Sequence, residues 1–132
     1  MHLDHIGIAV SDLESAISTY EKLLNRTCYK REVVAKQSVE TAFFKTGESK
    51  VELLAATGSE SVIQKFIEKR GEGLHHVAFE VNDIEEEIHR LKKEGFTLLS
   101  ETPSTGADNK KIVFLHPKES NGVLVELCQS ID

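Results

Sequence analysis

The sequence predicts an α+β fold made of two tandem βαβββ modules. Three observations carry that expectation. LDHIGIAV at residues 3 to 10 returns as LHHVAFEV at residues 74 to 81, and an offset of 71 aligns Leu3 with Leu74, His5 with His76, Val10 with Val81, Asp12 with Asp83, Glu14 with Glu85 and Ile17 with Ile88. Self-similarity of that length marks a duplicated structural unit. Each copy then passes into a segment of helical period, and each half continues with three more short apolar or alternating segments divided by turn residues.

Side chains alternate between faces along a strand. In the first strand Ile6, Ile8 and Val10 therefore turn to a core, and His5, Gly7 and Ala9 turn the other way. SDLESAISTYEKLL follows, with Leu13, Ala16, Ile17, Tyr20, Leu23 and Leu24 on one helix face. Ser11 is the expected N-cap, with Glu14 three residues on. Segments at 28 to 36, 39 to 46 and 49 to 55, with TGESK as a turn, complete a first module of residues 1–56. TGSESVIQKFIEKRGEG carries Val62, Ile63, Phe66 and Ile67 at helical spacing and predicts a linking helix within 57–72. The second module, 73–132, repeats the plan: Ile84, Ile88 and Leu91 share a helix face, Asn82 and Glu85 open it, and Gly95 closes it. Strands are expected at 96 to 101, 110 to 116 and 122 to 129, divided by STGADN and HPKESNG. The last strands, KVELLA and LVELCQ, correspond at an offset of 74 and pair Glu52 with Glu126; the longer HPKESNG turn absorbs the difference. The whole, 1–132, reads as a single domain.

Composition narrows the function. With 39% hydrophobic and 29% charged residues, the 132-residue chain has the profile of a globular protein able to bury a core. No apolar run of membrane-spanning length and no leader pattern occurs, so cytoplasm is the expected location. A net charge of −6 argues against nucleic-acid binding, which needs a basic face. Cys28 and Cys128 are not in CxxC spacing and read as packing residues of a reducing compartment.

The strand face opposite the helices is small or apolar, yet it carries one His and one Glu in each repeat. By parity these are His5 with Glu52 and His76 with Glu126. A buried carboxylate in such surroundings is costly unless paired or coordinated. Two histidines and two carboxylates converging from two equivalent modules would bind a first-row divalent ion, leaving octahedral positions for a bidentate substrate. The remaining histidines fit this less well. His2 is terminal, His75 has the wrong parity, His89 is on a charged helix face, and His116 lies in a turn.

With LDHIGIAVSDLESAISTYEKLL, KVELL, GEGLHHVAFEV and KIVFLHPKESNGVLVELCQ on the page, the chain resembles the vicinal-oxygen-chelate (glyoxalase/bleomycin resistance) superfamily. More narrowly it resembles the methylmalonyl-CoA epimerase family. The resemblance implies a cupped, metal-centred mixed sheet in a homodimer, with His5, Glu52, His76 and Glu126 as ligands of a divalent metal, cobalt foremost and zinc, nickel or manganese as alternatives. It implies interconversion of (2R)- and (2S)-methylmalonyl-CoA through a metal-stabilised enolate, with Glu126 also acting as base. It leaves the second acid/base group open: where some family members have Glu, this chain has Thr41, and the adjacent Glu40 has the wrong parity. A CoA thioester brings phosphates to an acidic protein, and Lys110, Lys111 and Lys118 are the expected contacts. Two rivals share the scaffold: a glyoxalase I type lyase, disfavoured by the HPKESNGVLVEL turn and the long linker, and a non-catalytic antibiotic-resistance type binder.

Overall fold

The computed structural model describes residues 1–131. Among them are eight strands and three helices, and the chain divides into two compact units. One spans His5–His75; the other joins Met1–Asp4 to the residues from His76 onward.

In the first unit β1 (His2–Ala9) runs parallel to β4 (Ser49–Ala56). β3 (Val39–Thr46) is antiparallel to β4, and β2 (Lys30–Val34) is antiparallel to β3. The helix α1 (Leu13–Leu24) leaves β1 and covers one sheet face, where Val10, Leu13, Phe44 and Leu53 are buried together and Ile17 and Tyr20 pack against them. Leu23, expected on that face, is instead 68% exposed. The helix α2 (Val62–Arg70) closes the other face by setting Ile63, Phe66 and Ile67 against Ala9, Val39 and Leu54. It is the linking helix, shorter than the segment that predicts it.

The second unit repeats the pattern. β5 (Gly73–Glu80) is parallel to β8 (Val125–Ser130), β7 (Lys110–Leu115) is antiparallel to β8, and β6 (Ser104–Gly106) is antiparallel to β7. The helix α3 (Ile84–Lys93) buries Ile84, Ile88 and Leu91 against Val81, Val113, Leu115 and Leu127. On the opposite face Ala78, Ile112 and Cys128 form a small cluster flanked by Phe114.

Two local expectations change. The N-caps are Asp12 and Asp83, one residue later than Ser11 and Asn82; each is extended and accepts a hydrogen bond at 3.1 Å, from the Ser15 and Glu86 N–H groups respectively. Both dipeptides, Ser-Asp and Asn-Asp, contain two residues fit for a cap, so composition alone could not choose between them. The segment 96 to 101 is not a strand but an irregular run with one isolated bridge, Leu98 to Leu115. Phe96 and Leu98 spend their apolar surface on the α3 core. The edge strand is β6, inside the stretch read as a turn; at Gly106 a Cβ would sit 2.7 Å from Ile112 Cδ1, so any larger residue there would make the Ile112 side chain shift.

Candidate active site

Each unit brings one expected pair together. In the first, His5 Nε2 lies 3.3 Å from Glu52 Oε1, with the residues 6% and 4% exposed. In the second, His76 Nε2 lies 3.4 Å from Glu126 Oε1, with exposures of 3% and 5%. Strand pairing explains both: parallel neighbours carry the pair, β1 with β4 and β5 with β8, and the residue registered opposite each glutamate, two after the histidine, is small: Gly7 opposite Glu52 and Ala78 opposite Glu126.

These donors suit a metal. Two atoms bound at about 2.1 Å to one ion lie roughly 3.0 to 3.4 Å apart for octahedral to tetrahedral angles, which is the separation in each pair. Mixed imidazole and carboxylate donors select zinc, cobalt, nickel or manganese over soft or purely oxygen-loving ions.

Sequence parity did not reveal a polar network at the far end of the second unit's ligand face. Lys110 Nζ donates to Glu80 Oε2 at 2.8 Å and to Ser130 Oγ at 3.0 Å, and Asp4 Oδ1 lies 3.5 Å away. Burial pushes the Glu80 carboxyl up, but the Lys110 ammonium and the Ser130 hydroxyl outweigh it and hold the group below the usual carboxylate range. Lys110 itself is 7% exposed. This corrects its expected role at a phosphate: an ammonium buried between carboxylates is already occupied. The same cation already contacts the Asp4 and Glu80 carboxylates, whose donors with His2 lie within 4.8 Å of one another.

Lys118 is exposed and Lys111 half-buried. Two side chains brace the HPKESNG turn: His116 Nδ1 accepts the Lys118 N–H at 3.1 Å and Glu119 Oε1 accepts the Thr97 N–H at 2.6 Å. His116 is thus a structural cap. His75 packs edge-on against Phe66 of α2, with ring centroids 4.9 Å apart, and His89 is exposed on α3.

Neither residue at the open acid/base position offers an exchangeable carboxyl to this face. Thr41 is 1% exposed and its hydroxyl donates to the Glu32 carbonyl at 3.4 Å. Glu40 accepts from Arg31 at 3.0 Å and 3.2 Å, and Arg31 also lies 2.6 Å from Glu14 of α1, which places that ion cluster on the helix side. Cys28 hydrogen-bonds to the Lys30 carbonyl, whereas Cys128 is buried and its thiol is pushed well up, first by desolvation and then by nearby Asp4 and Glu126.

Residues 4–114 match the family model described as the glyoxalase/bleomycin resistance protein/dioxygenase superfamily. Human mitochondrial methylmalonyl-CoA epimerase is 39% identical over 97% of this chain and 73% of its own. An ethylmalonyl-CoA/methylmalonyl-CoA epimerase of Cereibacter sphaeroides is 40% identical over 96% of each chain. Among solved structures, a variant of Streptomyces coelicolor methylmalonyl-CoA epimerase in complex with 2-nitronate-propionyl-CoA superposes with a TM-score of 0.95 at 34% identity, covering 100% of this chain and 99% of that one. With that match in sequence and architecture, the chain belongs to the glyoxalase/bleomycin resistance protein/dioxygenase superfamily and has its paired βαβββ fold.

Proposed function

We propose that this protein is a methylmalonyl-CoA epimerase that interconverts the (2R) and (2S) thioesters. The observation that carries the reading is the buried imidazole beside a buried carboxylate, repeated once in each unit. The extent of similarity to named epimerases supports the substrate.

His5, Glu52, His76 and Glu126 would hold one divalent ion, cobalt first among the candidates. When bound, the ion supplies a Lewis acid for the negative charge that develops as the α-proton leaves. The chain's own residues do the rest. The Glu126 carboxylate takes the proton from the carbon between thioester and carboxylate; the C–H electron pair becomes a carbon–carbon double bond to the thioester carbon, and the carbonyl π pair moves onto the thioester oxygen. Return of a proton to the opposite side inverts the centre. Thr41 and Glu40 do not serve there, so a water is assigned as the second exchanging group.

Lys111 and Lys118 are assigned to the CoA phosphates, as charge-assisted donors on an otherwise acidic protein. Among the described residues no helix is long and apolar enough to cross a membrane. A cytoplasmic homodimer acting on a small-molecule CoA thioester, with no nucleic-acid partner, completes the proposal.

The test is isotopic. Cobalt-loaded protein incubated with one epimer of methylmalonyl-CoA in deuterated water should exchange the α-hydrogen and equilibrate both epimers. Absence of exchange, with turnover of the methylglyoxal–glutathione adduct, would move the assignment to a glyoxalase I type lyase.

A further inference from the structure

Phe43 and Phe114 stand 71 residues apart, the offset of the repeat. Each lies directly across the sheet from its own unit's glutamate: Phe43 opposite Glu52, and Phe114 opposite Glu126. Directly opposed residues on neighbouring strands share a face. An aromatic ring therefore borders the carboxylate of both pairs.

The two rings differ in what they leave open. Phe43 is 1% exposed and packs on Tyr29 with centroids 6.2 Å apart. Phe114 is only half-buried; it stands edge-on to His76, at 5.9 Å and 89°, and borders Ala78, Ile112 and Cys128. Ala78 and Cys128 are 0% exposed, so this patch presents its apolar surface through the Phe114 ring.

The proposed substrate gives that surface a task. Its reacting carbon carries a hydrogen, a carboxylate, a thioester and an alkyl group. The first goes to Glu126 and the next two require polar partners, which leaves the alkyl group in need of an apolar wall. We propose that Phe114 is that wall, and that its ring limits the size of the substituent on the reacting carbon. The inference rests on the epimerase reading and adds a specificity-determining residue to it.

Wild type, F114A, F114L and F114Y would be compared on methylmalonyl-CoA and ethylmalonyl-CoA. One methylene in an apolar pocket is worth about tenfold or more in discrimination, so F114A should raise the ethyl-to-methyl ratio of kcat/KM by about tenfold. F114L should raise it less and F114Y not at all. Affinities for 2-nitronate-propionyl-CoA and its one-carbon-longer homologue should shift in the same sense without turnover. A ratio within twofold of wild type in both F114A and F114L overturns the proposal, and F114L alone decides if F114A fails to fold. Wild type inactive on both thioesters would overturn the epimerase reading and this one with it; active wild type with an unmoved ratio overturns only this one.

Discussion

Lys110 shows how far a single residue can depart from what its neighbours in sequence suggest. In NKKIVF it stands beside Lys111 at a turn and has the look of a surface cation, but alternation along β7 turns it inward with Ile112 and Phe114. Parity tells the face of a residue; it does not tell the partner, and Glu80, Ser130 and Asp4 come from three other strands, β5, β8 and β1. The Glu80 carboxyl is depressed, so its contribution to stability is present above the unfolded value near ~4.3 and is lost as pH falls through the lower folded value. Substituting K110M removes the cation and leaves burial as the main influence, which raises the carboxyl. The Glu80 contribution should then reverse sign, becoming a penalty at neutral pH that is relieved as the pH falls through the raised folded value. Urea unfolding at pH 7 should show a loss of about 3 kcal/mol in K110M, the cost of leaving a buried charge uncompensated, and the deficit should shrink by pH 4. A deficit equal at both values would contradict the network. The buried, raised thiol of Cys128 should likewise resist a thiol reagent in the native protein; rapid modification at that position would show the second unit's ligand face to be more open than its 0% exposure implies.

Among elements, the ones that duplicate were the most legible. The helices α1 and α3 are written twice with the same apolar spacing, and both form. Each starts one residue later than its first capping candidate, since Ser11 and Asn82 are as fit for capping as the aspartates that follow. Replacing Asp12 or Asp83 by Ala should cost about 1 kcal/mol each, measured by urea denaturation, whereas S11A and N82A should cost a few tenths. The reverse order would place the caps at Ser11 and Asn82. The segment 96 to 101 is irregular for a different reason: four to six residues with apolar content satisfy a strand pattern and an irregular core-filling run equally well. Phe96 and Leu98 turn toward α3, while the polar STG of β6 pairs with β7, with Ile112 packed close to Gly106. Repetition rescued the ligand strands from that ambiguity, since the same strand written at 3 to 10 and 74 to 81 makes His5 and His76 informative together where either alone is an ordinary buried histidine.

For the whole molecule, duplication poses a question of number. Each unit supplies one imidazole and one carboxylate, and two protein donors are fewer than the three or four that hold a transition metal in most sites. The proposed function requires all four on a single ion. One ion per chain is therefore expected when metal-loaded protein is dialysed and its content measured by mass spectrometry. Because a ligand that binds only the folded state stabilises it by about 4 kcal/mol at a thousandfold excess over Kd, chelation should lower the melting temperature by several degrees. Substitution in either unit, H5A or H76A, should abolish both the bound ion and the metal-dependent rise, since a shared site loses a donor whichever half is altered. If the two pairs acted separately, the count would approach two per chain, and each substitution would remove one ion and leave the other. That outcome would keep the fold and the family while removing the arrangement on which the proposed proton chemistry depends.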